Sequence, residues 1–124
     1  MQDGKYVILI IDDDEDFLEA FGLLLASRGY KTVSAVSAEE GIRKHKAAEA
    51  DLIIVDLMME EVDAGAQFVK EMRLLGNKVP IFLLSAAGDS MSTSTDYGQI
   101  GFDGVFQKPI DADRLFSIIK AKLP

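Results

Sequence analysis

The residues of this chain best suited to chemistry are three consecutive carboxylates, Asp12-Asp13-Asp14, a further Asp56, a hydroxyl at Ser85 and a cation at Lys108, followed by Pro109. Carboxylate oxygens are hard ligands of the kind a magnesium ion takes a few at a time, keeping its other positions for water and phosphate. Asp12 and Asp13 with Asp56 would make such a set. A carboxylate beside a divalent cation and an ammonium is also enough to run phosphoryl transfer, because that reaction depends mainly on positioning and electrostatic stabilisation. In this arrangement Asp56 accepts the phosphoryl group. Lys108 pairs first with Asp56 and then with its phosphate, and Ser85 donates to a phosphate oxygen. None of this works unless residues so far apart in the chain converge.

The elements expected around them would bring that about. Tyr6–Ile11, Lys31–Val36, Asp51–Asp56, Val79–Leu84 and Val105–Gln107 read as strands, most of them apolar along their length, as in strands covered on both faces. Between them lie stretches with helical spacing. Asp13–Arg28 has an acidic start, apolar Phe17, Phe21, Leu24 and Leu25, and Gly29 as its stop. Ser37-Ala-Glu-Glu40 is a capping-box sequence opening a helix to about Ala48. Phe68, Val69, Met72 and Leu75 mark a third helix closed by Gly76, and Asp111 caps a last one reaching about Leu123. Strands alternating with helices imply a doubly wound α/β fold, a parallel sheet with helices on both faces. Its ligand site lies beyond the carboxyl ends of the strands. Asp12, Asp13, Asp56, Ser85 and Lys108 all stand at such ends.

Composition is consistent with one domain over residues 1–124. Apolar residues make up 48% and charged residues 27%, with no cysteine, which excludes disulfides, thiol catalysis and Cys-based zinc sites. A net charge of -8 argues against direct nucleic acid binding. The apolar runs are too short for a membrane span and the N-terminus lacks a signal-peptide core, so the expected location is cytoplasmic.

Four blocks carry a resemblance. Ile8-Leu-Ile-Ile-Asp-Asp-Asp14, Asp51-Leu-Ile-Ile-Val-Asp-Leu-Met-Met59, Pro80-Ile-Phe-Leu-Leu-Ser-Ala86 and Val105-Phe-Gln-Lys-Pro109 resemble, in order and spacing, the signature blocks of two-component response-regulator receiver domains. The resemblance covers essentially the whole chain. It implies a flavodoxin-like (βα)5 fold with strand order 2-1-3-4-5. It implies Mg2+, for which Mn2+ can substitute, held by the side chains of Asp13 and Asp56 and the backbone carbonyl of Met58, with Asp12 acting mainly through a bound water. It also implies a cis Lys108-Pro109 bond. The phosphoryl donor would be a sensor histidine kinase or a phosphotransfer protein, and the output partner an effector domain or a separate protein. The only reactions expected are phosphorylation of Asp56 and its own hydrolysis, with no metabolite substrate.

The sequence departs from the family pattern in three places. Glu60-Glu-Val-Asp-Ala-Gly65 lacks the usual Pro, is slightly longer and adds negative charge near the metal. The stretch where the family has its fourth helix, Ser90–Gly98, is rich in the poor helix formers Ser, Thr and Gly, and the segment Gly88–Gly101 is a candidate order–disorder switch. Val105 occupies the position of the family's aromatic switch residue, and Phe106 should face the other side of the strand. Met58 and Ala87 occupy positions that in this family flank the path of the hydrolytic water, and neither side chain can orient it by hydrogen bonding.

Other readings compete. A degenerate receiver used only for protein contact is opposed by the intact acidic, hydroxyl and lysine set. An FMN carrier on the same topology is opposed by three aspartates where a phosphate would sit. An aspartyl phosphatase wants a second acid where Met58 stands. A calcium loop on Asp12-x-Asp14-x-Asp16 fails because Phe17 and Leu23 stand where Gly and Glu are needed. The lone His45 reads as a surface or boundary residue.

Overall fold

A computed structural model describes residues 1–56, 64–86 and 101–124. Five strands, β1 (Val7–Ile11), β2 (Lys31–Ala35), β3 (Leu52–Asp56), β4 (Ile81–Ala86) and β5 (Gly104–Lys108), form one parallel sheet in the order β2-β1-β3-β4-β5. Among the described residues four helices accompany it: α1 (Glu15–Ala26), α2 (Ala38–Ala48), α3 (Ala64–Leu74) and α4 (Ala112–Lys122). The fold is therefore the doubly wound, flavodoxin-like one expected. The expected helix at Ser90–Gly98, the Gly88 end of the candidate switch segment, Ala87 and Met58 lie outside the described residues. Of the Glu60–Gly65 stretch, Ala64 and Gly65 belong to the first turn of α3.

Strand alternation divides the core in two. Leu9, Ile11, Ile53, Val55 and Leu83 face one side with Phe68, Val69 and Met72 of α3. Ile8, Ile10, Ile54, Leu84 and Phe106 face the other, with Leu18, Phe21 and Leu25 of α1 and Leu115, Phe116 and Ile119 of α4. β1 and β3 are buried throughout, which is why they read as unbroken apolar runs. Phe106 stacks on Phe82, ring centroids 5.0 Å apart, while Val105 packs on the opposite face, as the alternation demanded.

Helix ends follow local chemistry. Asp14 caps α1, its Oδ1 accepting from the N–H groups of Asp16 and Phe17 at 3.0 and 3.2 Å, so α1 begins two residues later than its acidic start suggested. Ser37 Oγ accepts from Glu40 N at 3.1 Å, and Asp111 Oδ1 from Arg114 N at 3.3 Å. Gly29 and Gly76 both have positive φ just past α1 and α3, where a side chain would be strained. Leu75, one of the residues that mark this helix in the sequence, is largely exposed just past Leu74, the last residue of α3. From the last turn of α3, Arg73 ties the sheet's far half together. Its guanidinium donates to the carbonyls of Asn77, Val79 and Gly101 and pairs with Asp103 at 3.1 Å, and Asp103 accepts from Ile81 N.

Gly41 of α2 lies where a Cβ would come within 2.4 and 2.9 Å of Cδ1 and Cγ1 of the fully buried Ile11. Gly41→Ala gains about 1 kcal/mol of helix propensity but overpacks a closed core, at a cost of about 1–3 kcal/mol. A net loss of stability is expected in urea unfolding. Adding Ile11→Val, which removes the closest atom, should recover part of it; a stabilised Gly41→Ala protein would show that α2 can shift outward freely.

His45 near the end of α2 is half-buried and structural. Its Nδ1 accepts from Ala50 N at 3.1 Å, and its Nε2 lies 2.7 Å from Asn77 Nδ2, while Asn77 Oδ1 accepts from Val79 N at 2.9 Å. Burial holds its pKa below the ordinary value of 6.5, against an opposing pull from Glu49. The unfolded chain thus binds a proton that the folded chain resists. Stability is full above the ordinary histidine pKa and falls as pH drops through it toward the lower folded value. The urea midpoint should decline as pH falls through the ordinary histidine value of 6.5. His45→Gln should flatten that decline; an identical pH profile in the variant would remove His45 as its cause.

Candidate functional site

The sheet order puts β1 and β3 side by side at its centre, with β4 and β5 following. Ile11 pairs with Val55, so Asp12 emerges beside Asp56; Asp56 pairs with Leu84, and Ala86 with Lys108. Asp12, Asp56 and Lys108 share the parity of Ile10, Ile54 and Phe106 and so rise on the α1 side of the sheet. Ser85 shares the parity of Leu83 and approaches from the other side. This adjacency was not contained in any single block of sequence.

Asp12 is completely buried, Asp56 nearly so and Asp13 exposed, and one carboxylate oxygen from each lies within 4.8 Å of the other two. Three ionised oxygens this close, with Asp13 open to water, form a hard-donor cradle. An octahedral ion with ligands at about 2.1 Å places opposite oxygens about 4.2 Å apart, close to the span observed. The donor set therefore fits a small divalent cation.

Lys108 reaches into the same cluster. Its Nζ donates to Asp12 Oδ2 at 3.0 Å and stands 3.9 Å from Asp56 Oδ2. The pairing with Asp56 expected from sequence is thus the longer of two contacts, and the close partner is Asp12. The second oxygen of Asp12 accepts from Asp14 N at 2.9 Å, so this buried carboxylate is held at both ends. Ser85 is buried at the end of β4, one residue beyond the partner of Asp56. The Lys108-Pro109 peptide is cis. The contact between Lys108 and Phe17 had no sequence signal of its own, whereas Phe17 and Phe21 already stood at helical spacing. Lys108 Nζ lies 4.2 Å from the ring centroid of Phe17, and Phe17 packs on Phe21 with centroids 5.2 Å apart. Among the described residues no helix is long and apolar enough to cross a membrane.

Comparison with known proteins agrees with this fold. Residues 8–120 match the family model of the response regulator receiver domain. The chain is 37% identical over 112 residues to the transcriptional regulatory protein GlrR of Escherichia coli, covering 90% of this chain and 25% of that protein. It is 28% identical over 116 residues to the alkaline phosphatase synthesis transcriptional regulatory protein PhoP of Bacillus subtilis, covering 94% and 48%. It thus spans roughly a quarter to a half of the length of these relatives. Among solved structures, a two-component response regulator from Clostridium difficile superposes with a TM-score of 0.85 at 27% identity, covering 96% of each chain. The chemotaxis protein CheY4 of Vibrio cholerae does so with 0.83 at 25% identity, covering 95% and 98%.

Proposed function

The chain belongs to the response regulator receiver domain family, and on that premise we propose that residues 1–124 form one phosphorylation switch in which Asp56 accepts a phosphoryl group. The observation that carries this reading is the convergence of Asp12, Asp13 and Asp56 within 4.8 Å under the Lys108 ammonium.

In the proposed reaction an Asp56 carboxylate oxygen attacks the phosphorus of the donor, and the donor's bond to that phosphorus breaks. From a phosphohistidine the leaving group is the imidazole, and from acetyl phosphate it is acetate. Asp12, Asp13 and Asp56, with the Met58 carbonyl, would hold Mg2+ or Mn2+. When bound, the ion would offset charge on the phosphoryl oxygens and keep Asp56 ionised. Lys108 moves the short distance from Asp12 toward the new phosphoryl group, exchanging one anion for another in a partly water-excluded site. Ser85 donates its hydroxyl to a phosphoryl oxygen. Hydrolysis of the acyl phosphate returns Asp56 and inorganic phosphate. The donor is a sensor histidine kinase or a phosphotransfer protein, and the phosphorylated face is read by an effector domain or partner protein. The curated relatives named above are transcriptional regulators, so a transcriptional output is the first to test.

Val105 lacks the ring that would couple Ser85 to the output face, and Phe106 is locked in the opposite core against Phe82. The switch therefore runs through a different element. Intact-mass measurement after incubation with acetyl phosphate and magnesium tests the function: a phosphate-sized gain that disappears with EDTA is expected. No gain, either from acetyl phosphate or from a phosphorylated donor protein, would leave a binding module that takes no phosphoryl group.

A further inference from the structure

We infer that Phe17 is a positioning residue for phosphoryl transfer, its ring holding the Lys108 ammonium toward the carboxylates; this rests on the function proposed above. The contact follows from the fold. Parity brings Asp12, Asp56 and Lys108 to the α1 side of the sheet, and the Asp14 cap fixes the first turn of α1 directly over them. Phe17 lies in that turn, with its N–H bonded to the cap, so its backbone is as fixed as the site itself. Its ring is only partly buried, backed by Phe21, and faces Lys108 Nζ at 4.2 Å.

Among the described residues three groups therefore surround one ammonium: Asp12 at 3.0 Å, Asp56 at 3.9 Å and the Phe17 ring. The ring quadrupole attracts a cation without offering a competing charge. Asp12 and Asp56 compete for the lysine, whereas the ring is compatible with either position. A lysine has unusually large rotamer freedom to lose when it is fixed. The groove outside the site is walled by Phe17, Phe21, Leu24, Pro109 and Ile110, so the lysine stem runs along apolar surface up to the ring. A leucine at position 17 would keep most of that apolar wall and lose the electrostatic face. Because the ring contact exists before the phosphoryl group arrives, it acts by preorganisation: it narrows the arc that Lys108 samples to one from which the phosphoryl oxygens are in reach.

Phe17→Leu and Phe17→Tyr test this in the full chain. By NMR, the Lys108 Cε protons should be shifted upfield by the ring in wild type and in Phe17→Tyr, and should lose that shift in Phe17→Leu. This readout does not depend on phosphorylation. With acetyl phosphate at saturating magnesium, Phe17→Leu should phosphorylate about two- to fivefold more slowly, the size of a cation–π contact at a partly exposed site. Phe17→Tyr should react at the wild-type rate, and urea midpoints report separately any shared loss of packing. A Phe17→Leu rate equal to wild type would overturn the inference, as would a Phe17→Tyr rate as slow as that of Phe17→Leu. Lys108 protons without an upfield shift in wild type would overturn the contact itself. A wild-type chain that takes no phosphoryl group would overturn the parent function and the kinetic role with it, while the shift measurement still decides the contact.

Discussion

Asp56→Asn is expected to abolish the phosphate-sized mass gain from acetyl phosphate and magnesium while leaving the fold intact. An amide oxygen is a poor nucleophile, and asparagine also removes one of the three charges that cluster within 4.8 Å. Both changes act on the reaction, and neither opens a cavity, since the two side chains are nearly the same size. Asp56 is buried at the end of β3 beside Lys108, so the substitution also weakens a contact of 3.9 Å. The close partner of Lys108, Asp12, remains at 3.0 Å. Repulsion among the remaining carboxylates falls, so the urea midpoint should not drop. Asp16→Asn, a change at an exposed residue of α1 outside the cluster, is the control and should phosphorylate normally. A mass gain that survives in Asp56→Asn would place the acceptor elsewhere, and peptide mapping would find it.

Asp13→Asn should move two quantities in opposite directions. Asp13 is the exposed member of the triad, so it contributes little to packing and much to the charge that a divalent cation sees. Loss of even an outer-sphere partner of a metal ligand costs roughly 10- to 100-fold in affinity. Loss of a direct carboxylate should weaken magnesium binding at least about tenfold on the same scale, measured by titration calorimetry. Without metal, the variant should be at least as stable as wild type, because like charges held together oppose folding. Adding magnesium should therefore stabilise wild type more than Asp13→Asn, following the linkage between binding and folding. Unchanged affinity would remove Asp13 from the ligand set and leave Asp12 and Asp56 as its protein carboxylates.

Much of this was legible in the linear chain, for identifiable reasons. β1 and β3 are buried on both faces, and that forces the unbroken Val7–Ile11 and Leu52–Val55 runs. Ser37, Asp111 and Gly29 act within a few residues of themselves, so their capping roles could be read locally. Alternation alone put Val105 and Phe106 on opposite faces. The candidate residues were also visible, because strand ends in a parallel sheet face one edge. The sequence alone thus determined the class of fold, the list of chemical groups and their common edge.

Only the tertiary structure decided how those groups divide among themselves. Lys108 sits closer to Asp12 than to Asp56 because Asp12 is fully buried and anchored by Asp14 N on its other oxygen. Phe17 reaches Lys108 across 91 residues of sequence only because Asp14 sets the start of α1 over the α1 side of the sheet. His45 gained its partners from Ala50 and Asn77, which no helical periodicity could supply. Leu75 continues the helical spacing of Phe68, Val69 and Met72 but lies one residue past the end of α3 at Leu74 and is exposed. Spacing along a chain encodes which face a side chain takes; distances between ionised groups depend on strand register, helix docking and burial, and these exist only once the sheet has formed.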